Sequence, residues 1–148
     1  MIVKVGSHEI HLVIAQPAAT YVRFNGDVTG EDARSISNVV RHHLAGRGGR
    51  ILVNVAELGG ISADGRRELA RAEDTFHSSS GCYCELLFIR ARLTHKVILS
   101  QIISETATLP DVKLQTYFFE SLDDALAWAG LSPELVFGTD LPVPRRRC

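Results

Sequence analysis

Cysteine, methionine and tryptophan are scarce in this 148-residue chain, at three, one and one residues. Three cysteines, one of them the terminal Cys148, make no disulfide framework. No apolar stretch approaches the ~20 residues needed to cross a bilayer. The opening residues lack the basic start and long apolar run of a secretory signal. Cys148 stands last rather than fourth from the end, so a prenylation box is absent as well. An excess of one charge sign is also missing. Sixteen Lys and Arg stand against seventeen Asp and Glu, for a formal net charge of −1, so no global field recruits nucleic acid or anionic lipid. A cytoplasmic protein with no nucleic-acid partner is the expectation.

Hydrophobic residues make up 45% and charged residues 22% of the chain, values of ordinary globular domains that exclude disordered, collagen-like and coiled-coil classes. The length suits one domain, and folding at this size removes roughly 70% of the accessible surface of the unfolded chain.

Apolar periodicity sets out the elements. His8–Ala15 and Thr20–Asn25 are β-branched and aromatic runs, the first stopped at Gln16-Pro17 and the second at Gly26-Asp27. Thr29 suits an N-cap, with Glu31 and Asp32 where the helix dipole favours negative charge. Ala33, Ile36, Val40 and Leu44 then share one helical face. Ile51, Leu52, Val53 and Val55 form a strand covered on both faces, broken at Gly59-Gly60, and Ser62 caps a helix running to about Phe76. Cys84–Ile89 is a buried strand, and Leu93–Ala107 a helix too apolar for one narrow stripe. Val112–Phe119 is a last strand, followed by a near capping box at Ser121 and a short helix that ends at Gly130. The order β-β-α-β-α-β-α-β-α predicts an α/β domain with a mixed, mostly parallel sheet backed by helices. Residues 1–130 form the domain, and 131–148, with three prolines and the run Arg145-Arg146-Arg147, a loosely attached tail.

Catalytic and metal constellations are weak. Gly60-Ile-Ser62-Ala-Asp64-Gly65 approaches a nucleophile elbow, but its second glycine falls one place late, and Ser62 is more simply a helix cap. Cys82 and Cys84 share a strand face and with His77 could offer three ligands, yet the spacing fits no zinc motif. His8 and His11 lack the i, i+4 spacing of a metalloprotease helix, and face opposite ways along a strand, as surface residues. Gly46-Arg-Gly-Gly-Arg50 lacks the Lys-Ser/Thr of a P-loop and suits a helix-ending turn. No metal, no cofactor and no enzymatic activity are expected. The surplus apolar surface of Leu93–Ala107 is assigned to the core, with a partner surface or an apolar-ligand groove as the alternatives.

Three stretches in order, Gly26-Asp-Val-Thr-Gly-Glu-Asp32, the segment Ile51–Gly65, and Tyr117–Trp128, together resemble the STAS superfamily, in particular its SpoIIAA-like branch. The match spans about residues 8–130. It implies a regulatory, protein-binding domain of the kind found in bacterial anti-sigma factor antagonists, with a switch kinase or anti-sigma-like protein as partner. In that family a serine in an Asp-Ser-Ser/Thr-Gly pattern is phosphorylated at a helix N-terminus, where free N–H groups and the dipole receive the phosphate. With Gly65 on the family glycine, Ser62 falls on the aspartate and Ala63 on the acceptor. Alanine cannot be phosphorylated. The switch is therefore lost, moved to Ser62, or replaced by the fixed charge of Asp64. The expected partner-binding loop comprises Gly59, Gly60, Ser62, Ala63, Asp64 and Gly65. A fold likeness of this branch to CRAL-TRIO domains implies the alternative of a carrier or sensor of an apolar or lipid ligand.

Overall fold

A computed structural model of the chain describes residues 1–15, 18–44, 49–70, 83–106 and 113–138. His77, Cys82 and the Arg145–Arg147 run lie outside the described residues, as does the expected continuation of the second helix to Phe76.

Among the described residues, six strands form one sheet whose spatial order equals their order along the chain. β1 (Ile2–Val5), β2 (His8–Val13) and β3 (Ala19–Val28) are an antiparallel meander. β4 (Gly49–Ile61), β5 (Tyr83–Ile89) and β6 (Lys113–Phe119) then add in parallel, with residues 49–54 of β4 pairing 84–89 of β5 as the α/β expectation requires. Among the described residues are five helices: α1 (Gly30–Leu44), α2 (Ala63–Ala70), α3 (Leu93–Thr106), α4 (Leu122–Ala129) and α5 (Pro133–Phe137). Thr29 Oγ1 accepts from the Asp32 N–H at 3.1 Å to cap α1, and Ser121 caps α4 in the same way.

Both faces of the sheet are covered. Ile51, Val53 and Val55 of β4 pack with Ala33, Ile36, Val40 and Leu44 of α1 and with Leu99 and Ile102 of α3. Leu52 points the other way, into a second cluster with Leu87, Ile89, Ala125, Leu126 and Ala129. This explains the unbroken apolar run at residues 51–53: in a doubly covered strand neither parity faces water.

Several expectations need correction. β1 precedes the first expected strand and pairs in a two-residue hairpin whose Gly6 takes φ 58°. β3 continues past Asn25 to Val28, and β4 runs through Gly59-Gly60 to Ile61. His8 and His11 do face opposite ways, but each enters a core, at 1% and 6% exposure. His8 lies edge-on to Phe24, and His11 edge-on to Tyr21 and Phe137. Arg50 is not in a surface turn but inside β4, where its guanidinium donates to the Ala129 carbonyl at the end of α4.

The segment after Gly130 is core rather than tail as far as residue 138. Leu131 and Val136 are buried, Ser132 caps α5 with its side chain, and Phe137 completes a ring cluster with His11 and Tyr21. α4 has only eight residues, too few to cover its face of the sheet alone, and α5 supplies the missing apolar surface. Val136→Ala should therefore lower unfolding free energy by about 2 kcal/mol, from two buried carbons and the void they leave. A urea midpoint that does not move would return this segment to the status of a tail.

At the β1 edge of the sheet, Lys4 Nζ donates to Glu9 Oε2 at 3.1 Å. That bond, with a smaller contribution from His11, holds the Glu9 carboxyl below the usual glutamate range. Its folded pKa being depressed, Glu9 contributes stability above the ordinary glutamate value of about 4.3 and loses it as pH falls through the lower folded value. Lys4→Met should raise the Glu9 pKa towards its ordinary value in an NMR titration.

Candidate functional site

The C-terminal ends of β3 and β4 pass directly into α1 and α2, which places two strand–helix corners side by side. Ligand and partner sites on open α/β sheets favour this edge of the strands. The corners touch closely. The Ser62 N–H donates to the Val28 carbonyl at 3.0 Å. A Cβ on Gly30 would stand 2.8 Å from the Cβ of Asp64, and one on Gly65 would stand 2.9 Å from the Val28 carbonyl oxygen. A side chain at Gly30 would push α1 from α2, and one at Gly65 would push α2 from the end of β3.

β4 reaches its corner with more residues than β3 spends. Arg23 pairs Asn54 and Asn25 pairs Glu57; Gly26 then pairs Leu58 and Val28 pairs Ile61. Twice, three residues of β4 stand against two of β3, as in a β-bulge. At each irregularity a side chain accepts from a β4 amide. Asn54 Oδ1 accepts from the Ala56 N–H at 3.0 Å, and Asp27 Oδ1 from the Gly60 N–H at 2.8 Å. Asp27 was legible in the sequence only as part of a turn, yet it is the clasp of the loop. The neighbouring Gly59 has no room for a side chain, since a Cβ would meet the Asp27 carboxylate and lie 3.0 Å from the Gly26 carbonyl carbon.

His8 supports the clasp from the core. Its Nδ1 accepts from the Asn25 N–H at 3.0 Å, so the ring proton is assigned to Nε2. Nε2 stands 3.1 Å from the Asp27 carbonyl oxygen, to which it donates, and 3.4 Å from Asp32 Oδ2. One buried ring thus joins β2, the end of β3 and the first turn of α1.

The expected loop residues are brought together here. Ser62 Oγ accepts from the Gly65 N–H at 2.9 Å, as a cap. Ala63 is exposed beside it, and the Asp64 side chain is 72% exposed. Asp64 is not a bare charge, however: Arg67 Nη1 lies 2.6 Å from its carboxylate one turn along α2. Arg34 of α1 similarly meets Glu68 of α2 at 3.2 Å, and that carboxylate raises the Arg34 pKa. Further along the same edge, Arg90 follows β5 with φ 59°, a left-handed conformation uncommon for a side-chain-bearing residue. Its N–H donates to the Phe119 carbonyl at 2.9 Å. Nothing in the sequence marked it. His95, a conceivable base for a serine nucleophile, is buried in α3. Among the described residues no group of three His, Cys, Asp or Glu is placed to hold a metal ion.

Neither a protein-family model nor a curated protein matches the sequence. Solved structures do match. An uncharacterized protein of the DUF3478 family from Shewanella loihica PV-4, with a SpoIIAA-like fold, superposes at TM-score 0.58 over 87% of this chain and 98% of its own, at 17% identity. The fold is SpoIIAA-like. The anti-sigma factor antagonist SpoIIAA in its unphosphorylated form also matches, over 80% of this chain and 94% of its own, at 11% identity and TM-score 0.48. Within the SpoIIAA-like fold of this chain, the described helices include none long and apolar enough to cross a membrane.

Gly59→Ala should cost about 1–3 kcal/mol, since the added methyl forces strand or carboxylate to move. Asp27→Asn keeps an acceptor for the Gly60 N–H and should cost less than Asp27→Ala. Equal urea midpoints for all three variants and the wild type would show that the clasp contributes nothing.

Proposed function

We propose that the protein is a non-enzymatic regulatory module that binds a protein partner through the paired corners at Asp27–Gly30 and Gly59–Gly65. The observation that carries the proposal is the clasp. Two strand–helix corners are fixed to each other by Asp27, Gly30 and Gly65, and hold Ser62, Ala63 and Asp64 exposed on a rigid frame. Rigid presentation lowers the ordering cost of association. The partner proposed is a regulatory protein of the switch-kinase or anti-sigma type, in the cytoplasm, with no nucleic acid involved.

In this proposal Ala63 takes the phospho-acceptor position, and binding is constitutive rather than switched there. The surface offered is the Asp64–Arg67 pair, not a free negative charge, so the partner meets both signs within one helical turn. Ser62 is the remaining candidate for phosphorylation. Its oxygen already serves the Gly65 N–H, so a phosphate would sit at the N-terminus of α2 and extend the cap with negative charge.

The test starts with a pull-down from the native organism, followed by calorimetric titration of the captured partner. Asp64→Asn should change partner affinity about fivefold or more, equivalent to about 1 kcal/mol, while stability moves by only ~0.3–1 kcal/mol. Ser62→Asn keeps a capping oxygen but cannot be phosphorylated, which separates the cap from the modification. Partner affinity unchanged in both variants would place the docking surface elsewhere. Robust ester hydrolysis abolished by Ser62→Ala would overturn the non-enzymatic reading itself.

A further inference from the structure

The helices on one side of the sheet do not close completely onto it. Between α1, α2, α3 and the strands β3, β4 and β5 lies a partly open cavity of about 110 Å³. Its wall includes Ile36, Leu69, Phe88, Leu99 and Ile102, and among the described residues Ser37 is the one polar residue along it. Native interiors contain few voids larger than a water molecule. Water is a poor filler for this one, because an ordered water needs two to four polar partners and the described lining residues supply a single side-chain hydroxyl. An engineered apolar cavity of about 150 Å³ in another protein stays dry and takes benzene or xenon.

The cavity has a cause in the sequence. α3 is apolar on more than one face, so Leu99 and Ile102 turn inward while Leu93 and Val97 remain exposed, at 77% and 54%. The inward residues reach the void but do not fill it.

We propose that this cavity is a binding site for one small, uncharged apolar group, the size of a single aromatic ring or a short branched alkyl. Charged and strongly polar ligands are rejected, because the wall offers them almost nothing in exchange for their hydration. The volume takes one such group, so the site suits a sensor of small apolar molecules or of one apolar substituent rather than a carrier that encloses a whole lipid. The proposal stands apart from the docking corner, since no residue of Asp27–Gly30 or Gly59–Gly65 lines the cavity.

The experiment uses the whole chain, methyl-labelled for NMR and titrated with benzene. The methyls of Ile36, Leu69, Leu99 and Ile102 should shift saturably, while those of Leu52, Leu87 and Leu126 on the other face of the sheet stay in place. At benzene ten times its Kd the Tm should rise about 3–6 °C, and benzoate should bind at least tenfold more weakly. Leu99→Phe, which places a ring at the wall, should weaken the benzene response at least tenfold. If that variant does not fold, the wild-type methyl map decides alone. Lining methyls that do not move up to benzene's solubility limit, or shifts of equal size on both faces of the sheet, would overturn the proposal.

Discussion

When parallel strands are added one after another in a single direction, a constant hand of crossover sends every connecting helix to the same face of the sheet. β3 to β6 are added in this way, and the described helices α1, α2 and α3 all lie against one face. Chain that comes after the last strand is free to cover the opposite face. α4 and α5 do this, and Leu131, Val136 and Phe137 are drawn into the second core for that reason. Much else follows from the double covering. Polar groups on the covered strands must then be met from within: His8, Tyr21 and Asn54 find hydrogen-bond partners inside the protein. Tyr21 receives the Asn54 amide at 2.9 Å, and burial pushes its phenol above the usual tyrosine pKa.

The two places where β4 outruns β3 shape the paired corners on that scaffold. A strand in perfect register would end flush with its neighbour and enter its helix with no spare length. The extra residues bring Gly59 and Gly60 across Asp27, turn Ile61 inward and leave Ser62 to start α2 against Val28. The frame at the corners is thus built from backbone geometry and one carboxylate, with the buried His8 ring behind it. The exposed positions 62–64 are left comparatively free of structural duty, apart from the Ser62 cap and the Asp64–Arg67 pair.

Much of the fold was legible because apolar periodicity and capping residues agree over the elements from β2 to α4. Thr29 and Ser121 cap the helices their sequences announce. The failures have a common origin in context that no local pattern carries. Gly59-Gly60 has the composition of a strand break, and only the close approach of Asp27 makes it part of a strand. His8 and His11 are polar letters on a strand, and only the second layer of helices makes them interior. The proline-bearing segment 131–138 has the composition of a tail, and becomes core because a face of the sheet would otherwise stay bare. Ser62, Ala63 and Asp64 were found through resemblance and by their place before a helix. The cavity was foreshadowed only by the apolar excess of α3.

The agreement between spatial and chain order of the strands also bears on how the protein folds. Each strand pairs only with its neighbours in sequence, so no pairing must wait for a distant part of the chain, and each loop closed is about one crossover long. The β1–β3 meander contains the most local contacts and is complete within the first 28 residues. During synthesis it can assemble first and serve as a template to which β4, β5 and β6 are added in turn. The second core has the opposite character. It joins β2 and β3 to residues beyond 130, so the face carrying His11 and Tyr21 stays open until the C-terminal helices arrive. Folding of this chain is therefore sequential on one side of the sheet and delayed to the end on the other.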